Sequence, residues 1–511
     1  MTSPRMGETI RPSNHGKLTD RTGRGRADRE RWRIGSTLER TRTWLRTTPA
    51  RVWLLTVVAV LAVAGLFASA SITLNQARDG LSVLGHDAGP QAMATTELYL
   101  ALADMDARMA DVLLMGDDHD LGSGREVVLE TYDGSREQAH GALLQAASLT
   151  EGDTIEETNV QAVLNGLGEY EQRAGRALLL NDEAGAAPGR IDGDALEEYR
   201  RATQLMHTEL LPKAFNLGLD SSAIVRVGHE GGQSSVALGL LGVGGAGVLT
   251  ITALLMLQVY LRVRFRRRFN VPLLAATTGA VALTAGVILA LNSGAGYQRE
   301  AKEEGLDAAM ALARAEAIAT DMQADQSRYL LDPEQADKYQ QVYLERAQQV
   351  LFRPAGNLEE YYEQVDEVTE SYPTLPGDGD DSGGDPGTLG YLGEDAQDSL
   401  LSGQTQALAD VLEAYNGLQE QDRVMRSLVE TDDLDSAVQA RMGITHTEDG
   451  AFPSYTASLS GLIDLHVEEF RSAIERGGTV LSPWTWLLPA GTLAVLALLA
   501  LGVRPRLAEY R

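Results

Sequence analysis

Four apolar runs, each free of charge, interrupt an otherwise polar chain. They cover 52–74, 236–261, 271–291 and 484–503. At about 1.5 Å of rise per residue, about 20 residues cross a hydrocarbon core of about 30 Å. Each run is long enough, so the pattern predicts four transmembrane helices. The first run starts too late and is too long for a secretory signal, and it lacks a small-residue cleavage pattern. Between the runs, apolar positions recur every three or four residues, as on helices. Helices are expected near 72–116, 123–150, 154–183 and 193–230, then near 292–331, 333–371, 397–430 and 432–476. Turn signals separate them, among them Gly116-Asp117-Asp118, Gly152-Asp153 and Pro354-Ala355-Gly356. No stretch alternates as a strand does. Leu98, Leu102, Met105, Met109 and Val112 predict a core stripe on the first external helix. The expected fold is an all-α membrane protein with two four-helix bundles outside the bilayer.

The two bundles read as a duplication. At an offset of 217, Leu74-Asn75 meets Leu291-Asn292, and Ala92-Met93-Ala94 meets Ala309-Met310-Ala311. Asp104-Met105 meets Asp321-Met322, Ala107 meets Ala324, and Leu113-Leu114 meets Leu330-Leu331. No gap is needed across these matches. His207-Thr208-Glu209 with Pro212 echoes His446-Thr447-Glu448 with Pro453 at a different offset. Such self-similarity marks a repeated structural unit.

Charge then sets the topology. The 511 residues carry a net charge of −28, with 44 Lys+Arg and 72 Asp+Glu. The basic residues cluster in the tail at 1–50, in the short link at 262–270 and in the end at 504–511. The positive-inside rule places these three segments in the cytoplasm. The acidic stretches 75–235 and 292–483 then lie outside, and both termini lie inside. The bilayer is the first expected partner and the cell membrane the expected location. The tail is expected to be disordered over its first part. Its 31–46 stretch reads either as a basic amphipathic helix on the inner leaflet or as a cationic flank that fixes topology. An acidic, Gly-rich insertion at 373–396 reads as solvated and disordered.

Composition and motifs narrow the chemistry. Without cysteine, the chain has no disulfides, thiolate metal sites or thiol nucleophiles. The acidic balance argues against nucleic acid as a partner. No nucleophile elbow, P-loop, HExxH or dinucleotide fingerprint occurs, so no enzyme, no cofactor and no metal site are expected. The residues 376–388 approach EF-hand spacing, but Leu389 stands where the bidentate Glu is needed. Asp117-Asp118-His119-Asp120 reads as a polar loop tip. Asp104 and Asp321 lie beside the core stripe, either at its solvent edge or inward, where they would meet a cation or amine. His207 and His446 read as structural or as titrating sensors. Pro212 and Pro453 are expected inside helices, as kinks or as hinges between sensor and membrane. The spans hold no Asp, Glu, Lys, Arg or His, which disfavours a transporter. Small residues four apart, at Ala282, Gly286 and Ala290 and among Gly239, Gly242, Gly244, Gly245 and Gly247, suit close helix packing and self-association into a homo-oligomer.

The whole plan, from the basic tail through the Arg-rich hairpin to the fourth span, resembles the GlnX-type membrane proteins of actinobacteria. The 104–114 and 321–331 segments are also similar to the first helix of chemoreceptor four-helix-bundle sensor domains. The resemblance implies a sensor of external amino acids. It implies two partners, a GlnH-type binding lipoprotein and a cytoplasmic Ser/Thr kinase of the protein kinase G type. No ligand residue carries over with it. The expected role is a non-enzymatic signal transducer with Arg262, Arg264, Arg266, Arg267 and Arg268 as the cytoplasmic output surface. The alternatives are a cell-envelope scaffold and, less favoured, a transporter subunit.

Overall fold

The computed structural model describes residues 48–118, 121, 123–149, 154–265, 270–373, 390–392, 401–447 and 449–508. The basic tail at 1–47, Arg266, Arg267, Arg268, His119, Asp120 and most of the acidic insertion lie outside the described residues. Among those described, every regular element is helical. The first half contains α1 (Thr48–Ser82), α2 (Gly89–Met115), α3 (Arg125–Leu149), α4 (Thr154–Ala184), α5 (Gly193–Leu205) and α6 (Leu211–Phe265). The second contains α7 (Val271–Glu300), α8 (Ala308–Leu331), α9 (Ala336–Val350), α10 (Leu358–Ser371), α11 (Gln404–Glu430), α12 (Leu434–Thr445), α13 (Ala451–Leu481) and α14 (Trp484–Ala508).

Local chemistry explains the boundaries. The Asp192 side chain accepts from the backbone N–H groups of Asp194 and Ala195 and starts α5. Asn357 starts α10 and Asp433 starts α12 in the same way. The expected single helix over 432–476 is two helices, broken between Thr445 and Ala451. Pro453 therefore sits in the first turn of α13, where its missing N–H costs nothing, and does not kink a helix interior. Pro212 does lie within a continuous helical path. It follows a wider, π-helical turn at Met206–Leu210, which makes room for a ring that would strike the carbonyl four residues back.

Two further π-helical turns, at Val83–Ala88 and Ala301–Asp307, stand at nearly the same place in each half under the offset of 217. In the second, Gly305 lets α13 approach. A Cβ there would lie 2.7 Å from the Phe470 Cα and 2.9 Å from its nitrogen. Backbone cannot step aside as a side-chain tip can. Gly305→Ala is therefore expected to cost about 1–3 kcal/mol, read as a lower unfolding midpoint of the detergent-solubilised protein. An unchanged midpoint would refute the close approach.

The chain folds as two compact units. One comprises Ser69–Gly242 and Gly286–Leu487; the other comprises the described residues of Met1–Ala68, Val243–Ala285 and Leu488–Arg511. In the first unit, α2 and α8 pack along each other at the centre. From Ala101 to Met115, α2 is buried except at Asp104, and α8 is buried throughout from Ala317 to Arg328. These helices are enclosed on all sides, where a single core stripe was expected. One apolar core runs through residues of both halves, including Leu102, Met105, Tyr170, Met322, Tyr343 and Tyr455. The two expected bundles thus share their interior.

The second unit is apolar inside and out. Val52, Leu254, Leu257, Leu273 and Leu499 are buried together, while Leu61, Val248, Leu249 and Leu493 are exposed. Among the described residues four helices are long and apolar enough to cross a membrane, within Ala50–Met115, Leu238–Val263, Val271–Leu331 and Ala451–Pro505. The few polar groups find partners. Thr250 Oγ1 donates to the Ala62 carbonyl at 2.9 Å, and Gln258 Nε2 donates to the Leu273 carbonyl at 2.8 Å. Of the small residues singled out, Gly247 receives Thr284, and in the other unit Gly239 receives Thr73 and Gly286 receives the Trp484 ring. Gly244 and Gly245 have nothing close.

Candidate functional site

The enclosed part of the central pair is also charged. Asp106, Arg108 and Asp111 on α2, and Asp321, Asp325 and Arg328 on α8, are all buried. A buried charge is tolerated only when paired and hydrogen-bonded, and nearly all of these are. Asp106 meets Arg328 through a direct ion pair. It also accepts from the Tyr170 hydroxyl at 3.0 Å and lies 3.4 Å from His207 Nε2. Burial alone would raise its carboxyl, but Arg328, His207 and Tyr170 together outweigh burial and bring it down to about 2. Arg328 also donates to Asp325 at 2.8 Å and to the Tyr199 hydroxyl at 3.2 Å.

Asp111 has a second set of partners. Arg441 from α12 donates to it at 2.8 Å, Ser327 at 2.7 Å, and His446 Nε2 lies at 2.9 Å. Burial opposes its charge, yet Arg441, His446 and Arg108 hold it well below the usual carboxylate range. Arg441 also donates to the Gln323 carbonyl at 3.0 Å and to Thr445 at 2.6 Å. Both singled-out histidines thus lie on carboxylates of α2. His207 also takes a hydrogen bond at Nδ1 from Arg346 at 3.3 Å.

Asp104 and Asp321 occupy equivalent positions with different surroundings. Asp104 accepts from Ser135 at 2.5 Å and pairs with Arg108 at 2.8 Å. Asp321 is 3% exposed. Its Oδ2 lies 3.6 Å from Arg346, and its Oδ1 has no hydrogen-bond partner.

Two cavities open beside this network. The larger, about 590 Å³, lies among α5, α8 and α9 and is lined by Tyr199, Arg200, Arg328, Lys338 and Tyr339. Arg200 grips the buried Asp332 with two hydrogen bonds, at 2.9 and 2.6 Å. The smaller, about 370 Å³, is lined by Tyr99, Phe215, Arg314, Asp321 and Tyr391. His207 and Arg346 stand in the walls of both. A third cavity of about 240 Å³ adjoins α2, α8 and α13, where Met93, Leu100, Met310 and Ile463 surround Glu316.

The network brings together His207, His446 and Asp321, and places Asp104 at its edge. Pro212 lines the smaller cavity; Pro453 lies in neither. Arg262 and Arg264 close α6, and Arg262 is exposed. Sequence reasoning did not single out Asp106, Asp111, Arg328 or Arg441. One signal was present. The offset of 217 aligns Arg108 with Asp325 and Asp111 with Arg328, so the two halves exchange charge at both positions.

Residues 80–230 match the family model described as an actinobacterial sensor domain. That stretch runs from the end of α1 into α6 and includes Asp106, Asp111 and His207. Comparison with curated proteins and with solved structures found no match.

Proposed function

We propose that this sensor-type chain is a non-enzymatic transmembrane transducer that relays an external state to a cytoplasmic kinase. The observation that carries the reading is the sensor-domain match over residues whose buried charges are neutralised by the other half. Whatever separates or slides α2 against α8 must break or re-form those ion pairs, so the pair has few intermediate arrangements. α1, α6, α7 and α14 each carry residues of both units and give a displacement a covalent route. The charge pattern supports cytoplasmic termini and an external sensor. The resemblance to GlnX-type proteins supports an amino acid, delivered by a binding lipoprotein, as the external state, with a Ser/Thr kinase as receiver.

The Arg-rich link is the output surface in this reading. Exchanging Arg264, Arg266, Arg267 and Arg268 for Gln is expected to reduce amino-acid-dependent substrate phosphorylation at least fivefold. Surface labelling should report unchanged insertion. A full response in a correctly inserted variant would remove the hairpin from the relay. A chain that neither responds to amino acids nor retains a kinase on pull-down would be a scaffold.

A further inference from the structure

The 240 Å³ cavity is an apolar hollow whose wall carries uncompensated negative charge. Three helices line it: Met93 and Glu97 stand on α2, Met310 and Glu316 on α8, and Ile463 and Asp464 on α13. Among the described residues no Lys, Arg or His lines it. Glu97 and Asp464 are exposed, but Glu316 is half-buried. Burial and, to a smaller extent, the Asp104 charge oppose its ionisation, and no cation offsets them. The fully buried Tyr455 hydroxyl feels the Glu316 charge yet has no hydrogen-bond partner, so the carboxyl gains no donor from Tyr455 either. Buried polar groups in a folded protein are nearly always paired; here an acceptor and a donor near it are left over. The offset of 217 aligns Glu316 with Tyr99 and Glu97 with Arg314, and those two line the 370 Å³ cavity together with Arg346. The same two positions thus give one cavity aromatic and cationic walls and the other cavity carboxylates. These carboxylates are not arranged for a metal: among the described residues no three acidic or histidine side chains gather closely enough to hold one. A lone carboxylate in an apolar wall selects an organic cation instead, and a volume below the usual range of about 300–1,000 Å³ selects a small one.

We infer that this cavity binds a small organic amine as its ammonium ion, the N–H groups donating to the Glu316 carboxylate and an apolar body resting against Met93, Met310 and Ile463. Methionine suits such a lining, because its flexible thioether adapts to the shape it covers. Glu97 and Asp464, exposed in the same wall, draw a cation in and turn an anion away. A free amino acid is excluded by the same chemistry, since its carboxylate would meet Glu97, Glu316 and Asp464. The inference thus adds a different kind of input to the relay proposed above and does not rest on it. An occupant touches α2, α8 and α13 together, so it resists displacement of the central pair.

Calorimetry on the full-length chain in nanodiscs tests it at pH 8, above the value of about 7 to which Glu316 is raised, with empty nanodiscs as the blank. 2-Phenylethylamine is expected to bind. Three other probes should each bind at least about tenfold more weakly, the loss of one charge-assisted or apolar contact. These are 2-phenylethanol, which keeps the body without the charge, ethylamine, which keeps the charge without the body, and L-phenylalanine, which adds a carboxylate. Glu316→Gln should weaken the amine at least about tenfold and bring it level with 2-phenylethanol. This variant removes a stranded charge, so it is expected to fold. Glu97→Gln and Asp464→Asn, at exposed positions, should each weaken the amine less than about threefold. No binding of 2-phenylethylamine, L-phenylalanine binding as tightly as the amine, or unchanged affinity in the Glu316 variant would overturn the assignment. Equal losses in all three variants would also overturn it, by showing a diffuse acidic surface in place of a seat at Glu316. Binding is read without any kinase, so each of these failures leaves the relay standing.

Discussion

Arg328→Met is expected to destabilise the unit formed by Ser69–Gly242 and Gly286–Leu487 by about 3–5 kcal/mol at pH 7, the range for removing one member of a buried ion pair. Asp106 is fully enclosed and would keep only His207, Tyr170 and Thr203. The cost is expected to depend on pH. In the parent chain the Asp106 carboxyl is lowered from 3.8 to about 2. Its stabilising contribution is therefore present above about pH 4 and is lost as the pH falls through 2. In the variant, burial is no longer opposed by Arg328, so the folded protein favours the protonated acid. The gap between parent and variant should be widest near neutrality and narrow on acidification. Combining Arg328→Met with Asp106→Asn should cost less than the two changes summed, because the stranded charge disappears. Denaturant unfolding of the detergent-solubilised chain at pH 4 and pH 7 measures this. A cost under 1 kcal/mol, or one equal at both pH values, would contradict the ion pair.

Glu316→Gln is expected to act in the opposite sense. Burial, with a smaller contribution from Asp104, raises this carboxyl from 4.5 to about 7. A raised acid binds more protons folded than unfolded. The stability it lends is thus complete below about pH 4.5, declines as the pH rises, and is gone above about pH 7. The span corresponds to about 2–3 kcal/mol once its partial contact with solvent is allowed for. The Gln variant removes the charge and should be more stable than the parent at pH 8 by about that amount. It should also lose the parent's decline between pH 5 and 7. A variant no more stable than the parent at pH 8 would show that the carboxylate is already solvated.

The parts of this fold that depend on local pattern could be read from sequence. Charge-free runs long enough to span a bilayer have few other uses, so all four apolar helices were found. Turns at Gly116 and Gly356 fell where glycine or proline breaks a helical period; the turn expected at Gly152 lies outside the described residues. The side-by-side packing of α2 and α8 was not legible, because amphipathic stripes report a helix with one wet face. Over Ala101–Met115, Asp104 apart, and over Ala317–Arg328 the two helices are buried on every face, and their interior charges looked like solvent-facing ones. His207 and His446 stood out by residue type, but their carboxylates lie on another helix, where spacing along the chain carries no information. The cavity at Asp321 needs α2, α6, α8 and α9 together. Only the inward option for Asp321 was foreseen.

The charge exchange between Arg108/Asp111 and Asp325/Arg328 has a consequence for assembly. In a symmetric dimer one surface must complement itself. Here two copies of the first half, laid together along α2, would set carboxylate against carboxylate, a mismatch worth several kcal/mol. Each half is therefore a poor mate for its own twin and a good one for its sibling on the same polypeptide. Tandem fusion removes the demand for self-complementarity, and it leaves one sibling free to specialise in recognition while the other secures the architecture.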